Sequence, residues 1–220
     1  MKTSGVSVFT GRPVEIIVES GVIDSVREVA GDGDDLPYIS PGFLDLQVNG
    51  YHGDDYSLED LSADHIVRLV ENLARSGTAQ HVPTFVSMPQ KRLIRNLRIT
   101  AEAIQNDAKI ANAIPGLHIE GPFISSEDGP RGVHDRAFVR DPDYAEFEAW
   151  MEAADGLIAY ITVAPERKGA IDFIRRVVAT GVKVAIGHTG CSPEAVHEAI
   201  AVVPTLSTHL GNVRFTTLPR

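Results

Sequence analysis

The 220-residue chain is 43% hydrophobic and sets 20 Lys and Arg against 30 Asp and Glu, for a formal net charge of -10. Its few basic residues are scattered, which excludes the electrostatic footprint of a nucleic-acid or anionic-membrane binder and leaves small-molecule chemistry as the expectation. The single cysteine, Cys191, excludes an internal disulfide, and neither a signal core nor a bilayer-length apolar run is present, so a cytoplasmic protein with one sizeable core is expected.

From the N-terminus, Glu15 to Val26 reads as two β-branched runs joined through Ser20-Gly21, the pattern of a hairpin. An isolated hairpin is marginal in water, so this one needs partners from elsewhere. The acidic, Gly-rich stretch Gly31 to Asp35 reads as a loop or linker and sets residues 1–39 apart from 40–220. Strands are then expected at Gly42 to Val48, Ala79 to Val86, Ile114 to Ile119, Leu157 to Val163, Val182 to Ile186 and Pro204 to Ser207. Helices fall between them. Ser62 is a good N-cap for a helix that aligns Ile66, Leu69, Val70 and Leu73, with Gly77 where a C-terminal cap belongs. Further amphipathic stretches run from Pro89 to about Asn106, Pro142 to Ala154, Lys168 to Thr180 and Ser192 to Ala201. Strands alternating with crossover helices predict an α/β fold, a right-handed β/α barrel or a doubly wound sheet. A full barrel has eight strands; the pattern here supplies about six before Arg220.

Three of these runs, Ile114 to Ile119, Val182 to Ile186 and Pro204 to Leu206, are short, apolar and bounded by Gly or Pro, as buried parallel strands are. Glu120, His188 and His209 stand at or beside their ends, where chemistry gathers in β/α barrels. Each alone is commonplace, since a strand-end acid can cap a turn and a partly buried histidine can be a satisfied core residue. Together they make three ligands with an open position, the catalytic zinc arrangement in which bound water becomes nucleophilic near neutral pH. His134, behind Gly129-Pro130-Arg131-Gly132 in a long loop, reads as a substrate-loop residue, with a mobile surface histidine as the alternative. His65 and His197 fall on helices and read as solvated, His81 as core or supporting, His52 as within reach of the site, and Cys191 as inert. Gly50 to Asp55 matches no phosphate loop or dinucleotide fingerprint.

The order of Pro41-Gly42-Phe43-Leu44-Asp45-Leu46-Gln47-Val48-Asn49-Gly50, His118-Ile119-Glu120-Gly121-Pro122, Gly132-Val133-His134, Thr162-Val163-Ala164-Pro165-Glu166, Gly187-His188-Thr189 and Thr208-His209-Leu210-Gly211-Asn212 resembles the N-acetylglucosamine-6-phosphate deacetylases of the amidohydrolase superfamily. The resemblance is collinear from about residue 13 onward. It implies a TIM-type metal-dependent barrel, here partial, with a small β-sandwich to which residues 1–39 contribute. It also implies a divalent metal, zinc before iron, on Glu120, His188 and His209, with His134 on the substrate amide or sugar and Asn212 at its phosphate. Arg220 falls where a phosphate-binding arginine is donated across a homodimer interface.

Three departures shape the expectation. Gln47 and Asn49 occupy the positions where many amidohydrolases carry His-x-His, which implies one metal per chain. Asn212-Val213-Arg214-Phe215 replaces the family's Asn-Ala-Met, and the family's catalytic aspartate belongs to an eighth strand, beyond Arg220. The expected activity is hydrolysis of the acetamide of an amino sugar phosphate. The rival readings are an amidohydrolase acting on another N-acyl or cyclic amide, and an inactive partial barrel with a binding role.

Overall fold

A computed structural model describes residues 1–202 and 206–212. The chain divides into two compact units, Met1–Phe43 and Leu44–Arg220. In the first, strands β1 (Lys2–Ser7), β2 (Pro13–Glu19), β3 (Val22–Glu28) and β4 (Tyr38–Ile39) form one sheet in the order β3-β2-β1-β4. The hairpin read from the sequence is β2–β3, antiparallel with Val14 opposite Glu28. Ser20 and Gly21 turn it with φ of 49° and 80°, the left-handed pair that matches the twist of a two-residue hairpin. Its partner is β1, which the sequence pattern had not marked: β1 runs antiparallel to β2 and parallel to β4.

The second unit is an α/β half-barrel. Its elements are β5 (Phe43–Val48), the small β6 (Gly50–Tyr51) and β7 (Asp54–Asp55) ribbon, α1 (Ala63–Arg75), β8 (Thr78–Phe85), α2 (Gln90–Asn106), α3 (Ala108–Ala113), β9 (Leu117–Glu120), α4 (Tyr144–Ala153), β10 (Ile158–Val163), α5 (Ala170–Ala179), β11 (Lys183–Ile186), α6 (Pro193–Ala201) and β12 (Leu206–Ser207). Six strands lie in the order β12-β11-β10-β9-β8-β5 and curl into part of a barrel. All six expected strands are present. The third starts late, at Leu117, because Ala108–Ala113 folds as a helix capped by Asp107, whose side chain accepts from Lys109 N at 2.7 Å. Pro204 lies outside the described residues.

Helix starts follow the side chains that cap them. Asp143 Oδ1 accepts from Ala145 N at 2.8 Å, and Ser192 caps α6 with Pro193 in its first turn. His65, expected to be solvated, instead folds back on the start of α1, where its Nδ1 accepts from Ser62 N at 3.2 Å. In α1, Ile66, Leu69 and Leu73 are buried, as their spacing predicts.

Alternation along the strands separates two layers. On β9, Leu117 and Ile119 face the helices and join a core with Phe85, Ile161, Val184, Leu97, Trp150 and Phe173. The opposite faces line the barrel interior in tiers. Val82, Tyr160, Ala185 and Leu206 pack as a separate apolar tier. Above it runs a polar tier: His118 sits between Thr84 Oγ1 at 3.0 Å and Thr162 Oγ1 at 2.7 Å, and Thr162 bonds Thr208 at 2.7 Å. Stacked tiers of inward side chains are the ordinary filling of such barrels.

Gly187 is what lets the last bond form. A Cβ there would lie 2.5 Å from Thr208 Cβ and 3.0 Å from Thr162 Cγ2. Gly187→Ala is therefore expected to destabilise the chain by about 1–3 kcal/mol, the usual cost of overpacking, read as a lower urea midpoint at unchanged slope. An unchanged midpoint would mean that β12 packs more loosely than this geometry requires.

Candidate metal centre

Glu120, the last residue of β9, shares its face with His118, so the polar tier carries the carboxylate at its upper end. His188 and His209 follow β11 and β12 by two residues each and take left-handed backbones, with φ of 50° and 26°. Such conformations are uncommon outside glycine and persist where the surroundings over-determine them, as at functional sites. The three side chains converge. His188 Nε2 lies 3.1 Å and His209 Nε2 3.2 Å from Glu120 Oε1, and the two ring nitrogens are 3.0 Å apart. Glu120 is 3% exposed and His188 6%.

Hydrogen bonding decides which atoms can ligate. His188 Nδ1 is 3.0 Å from the carbonyl oxygen of Pro130, which can only accept, so Nδ1 carries the proton and Nε2 presents its lone pair to the centre. His209 Nδ1 is buried without a hydrogen-bond partner. Glu120 Oε1 already accepts from Gln47 Nε2 at 2.8 Å. Two imidazole nitrogens and a carboxylate oxygen therefore crowd together with at most one proton, on His209 Nε2, among the three, an arrangement that a shared cation would satisfy. A tetrahedral cation about 2.0–2.1 Å from each ligand spaces those ligands about 3.3–3.4 Å apart; the observed 3.0–3.2 Å fits that arrangement.

Glu120, His134 and His188 form an overlapping group whose ligand atoms lie within 4.8 Å of one another. His134 nonetheless differs from His209 in its proton. Its Nδ1 accepts from the Ser87 backbone N–H at 3.3 Å and lies 2.9 Å from Ser87 Oγ, so its Nε2 holds the proton and faces Glu120 Oε2 at 3.9 Å. A protonated Nε2 is a donor and not a ligand. His134 is 3% exposed and packs edge-on against His188, so the surface alternative does not hold.

Burial works to raise the Glu120 carboxyl, but the adjacent His188 ring, and less strongly His118 and His134, outweigh it and hold Glu120 down to about 2. It is an anion at any working pH. Burial pushes His134 down to about 4, with His188 adding to the effect and Glu120 opposing it.

Other candidates are placed elsewhere. His52 is exposed and packs edge-on against Tyr51. His81 is buried, with Nε2 2.7 Å from Tyr56 Oη. Asp54 is held by Arg68 through both carboxylate oxygens, at 2.6 and 3.0 Å, and Asp55 accepts from Ser57 N at 2.6 Å. Asn212 is exposed after the His209 turn, its amide donating to His209 O at 3.0 Å. Arg220 and Val213-Arg214-Phe215 lie outside the described residues. Cys191 is half-buried, and burial raises its thiol, consistent with an unreactive residue. No described helix is long and apolar enough to cross a membrane.

The support residues Ser87, Pro130, Thr162 and Thr208 could not be singled out from the sequence, because each acts through a partner distant along the chain.

A pH dependence of stability follows from two buried histidines. Burial lowers His81 to about 4 against a small opposing effect of Asp45, and lowers His118 to about 3 against Glu120. Both start from 6.5, so at lower pH the unfolded chain takes up their protons first. Their contribution is full above pH 6.5 and is lost as pH falls toward 4 and 3, at about 1.4 kcal/mol per pH unit for each. Urea unfolding in chelator should show this fall, less steeply in His81→Gln. A flat profile would mean that both rings charge without penalty.

No family model matches the chain. Among curated proteins, it is 32% identical over 180 residues to N-acetylglucosamine-6-phosphate deacetylase of Danio rerio, covering 79% of this chain and 43% of that protein. The mouse deacetylase is 28% identical over 198 residues, covering 88% and 46%. That of Haemophilus influenzae is 28% identical over 208 residues, covering 93% and 51%. The chain thus spans about half the length of the curated relatives it matches. Among solved structures, the Mycobacterium smegmatis N-acetyl-D-glucosamine-6-phosphate deacetylase, in complex with N-acetyl-D-glucosamine-6-phosphate, superposes with a TM-score of 0.81 at 28% identity, over 97% of this chain and 56% of that one. The Pasteurella multocida deacetylase gives 0.80 at 26% identity, over 97% and 57%. Motif order, the half-barrel and these likenesses agree: over about half of their length, the N-acetylglucosamine-6-phosphate deacetylases are what this chain is similar to in both sequence and fold.

Proposed function

We propose that this chain carries the metal-binding and part of the substrate-binding machinery of an amidohydrolase that cleaves the acetamide of N-acetylglucosamine-6-phosphate to the amine and acetate. The observation that carries the reading is the convergence of Glu120 Oε1 with the Nε2 atoms of His188 and His209 within 3.0–3.2 Å. These three would hold one divalent cation, zinc before iron. Such an ion supplies Lewis-acid polarisation of a carbonyl and a hydroxide-like water near neutral pH. Glu120 brings the negative charge that anchors a cation, and Pro130 orients the His188 ring. His134 offers an N–H from Nε2 beside the ligands, where it can donate to the acetamide carbonyl oxygen as negative charge develops on it. Gln47 is a hydrogen-bond donor to Glu120, which agrees with a single cation.

Asn212 is proposed for the sugar phosphate and Arg220 for the same phosphate across a homodimer, in keeping with the family pattern. Residues 1–39 are proposed as part of a small β-sandwich and 40–220 as barrel. The single cysteine agrees with a cytoplasmic setting. Acetate release from N-acetylglucosamine-6-phosphate, compared with unphosphorylated N-acetyl sugars and cyclic amides, tests the reading. Preference for the phosphorylated sugar supports it; preference for another amide overturns the substrate assignment.

A further inference from the structure

We infer that Glu166 is a positioning residue that holds His188 in ligating geometry by gripping the two residues after it; the inference rests on the metal reading of the site. Glu166 ends the segment Thr162-Val163-Ala164-Pro165-Glu166 beyond β10, which is anchored by Ala164 N donating to Phe123 O at 2.9 Å. It is an exposed glutamate, a place where such a side chain ordinarily only meets water. Here both oxygens are engaged on one dipeptide of the neighbouring loop. Thr189 Oγ1 donates to Glu166 Oε2 at 2.5 Å and Gly190 N donates to Glu166 Oε1 at 3.0 Å. Thr189 Oγ1 in turn accepts from Cys191 N at 3.1 Å, which passes the hold on to the entry of α6.

His188, directly before this dipeptide, has a φ of 50°. A non-glycine residue stays in that conformation only when its neighbours fix it. The ring is fixed by Pro130 O at 3.0 Å and the carbonyl by Ser125 N at 2.9 Å. Those contacts hold the side chain and one end of the peptide, and the clamp by Glu166 fixes the path of the chain that leaves it. Its bonds are exposed, so their loss should cost the fold little. The effect should instead appear where orientation matters, at His188 Nε2.

The test measures zinc affinity by chelator competition in wild type, Glu166→Ala, Glu166→Gln and Thr189→Val, beside thermal melting of each chain with metal removed. Glu166→Ala and Thr189→Val should weaken zinc binding about 10- to 100-fold, as loss of groups supporting metal ligands does. Glu166→Gln should stay within about threefold, because its carboxamide oxygen can accept from Gly190 N and its amide can donate to Thr189 Oγ1. Metal-free melting should be alike in all four. Wild-type affinity in Glu166→Ala overturns the inference. So does an equal loss in Glu166→Gln, which would assign the effect to charge, or a metal-free melting temperature that falls in step with affinity, which would assign it to folding. A wild type that takes no zinc removes the metal reading and this inference with it, whereas normal wild-type binding with an unaffected Glu166→Ala removes the inference alone.

Discussion

His188→Ala and His209→Ala are each expected to purify with almost no bound metal, where the wild type holds about one divalent ion per chain, the stoichiometry of a single three-ligand site. The reason lies in the number of donors. Glu120 gives one carboxylate, and among the described residues the imidazole nitrogens within hydrogen-bond distance of it are those of His188 and His209. Removing either leaves two ligands, and the affinity loss should exceed the 10- to 100-fold that follows from disturbing a supporting group. Plasma emission on protein prepared without chelator reads the outcome. A His209→Ala chain that keeps its metal would transfer the third ligand to His134.

The second large effect separates binding from chemistry. His134→Ala should retain metal yet lower turnover of N-acetylglucosamine-6-phosphate by about 10²- to 10³-fold, the usual consequence of losing one donor to a developing oxyanion. Ser87 fixes the His134 proton on Nε2, so the ring is a donor toward the centre and not a ligand in it. The comparison needs metal content and steady-state kinetics on the same preparations of protein with demonstrated turnover. Loss of metal together with activity would contradict the assigned role, and unchanged kinetics would remove it.

What the sequence made legible, and what it did not, divides along the range of the interactions involved. The β2–β3 hairpin was readable because Ser20-Gly21 is a local turn signal, and α1 because Ser62 and the Ile66, Leu69 and Leu73 spacing act within one segment. Glu120, His188 and His209 were readable as strand-end residues, since apolar strands end visibly and barrels gather chemistry there. β1 escaped notice because Lys2–Ser7 is too polar and short to show its pairing with β2. The short α3 escaped because the apolar Ile110, Ala113 and Ile114 blur into the following strand. His65 is the local exception: its ring caps Ser62 only three residues back, but the residue type that signals such a cap is Glu or Gln, not His. The protons on His134 and His188 were beyond any sequence pattern: Ser87 and Pro130 set them from 47 and 58 residues away.

The central claim is that one cation sits among Glu120, His188 and His209, with His134 held back as a donor. Diffraction from crystals of the metal-loaded chain, collected at the absorption edge of the bound metal, tests it most directly. One anomalous peak is expected about 2.0–2.1 Å from the Nε2 atoms of His188 and His209 and from a Glu120 oxygen, with His134 and Gln47 outside ligand distance. A peak ligated by His134 in place of His209, a second peak beside Gln47, or no peak at all would contradict it.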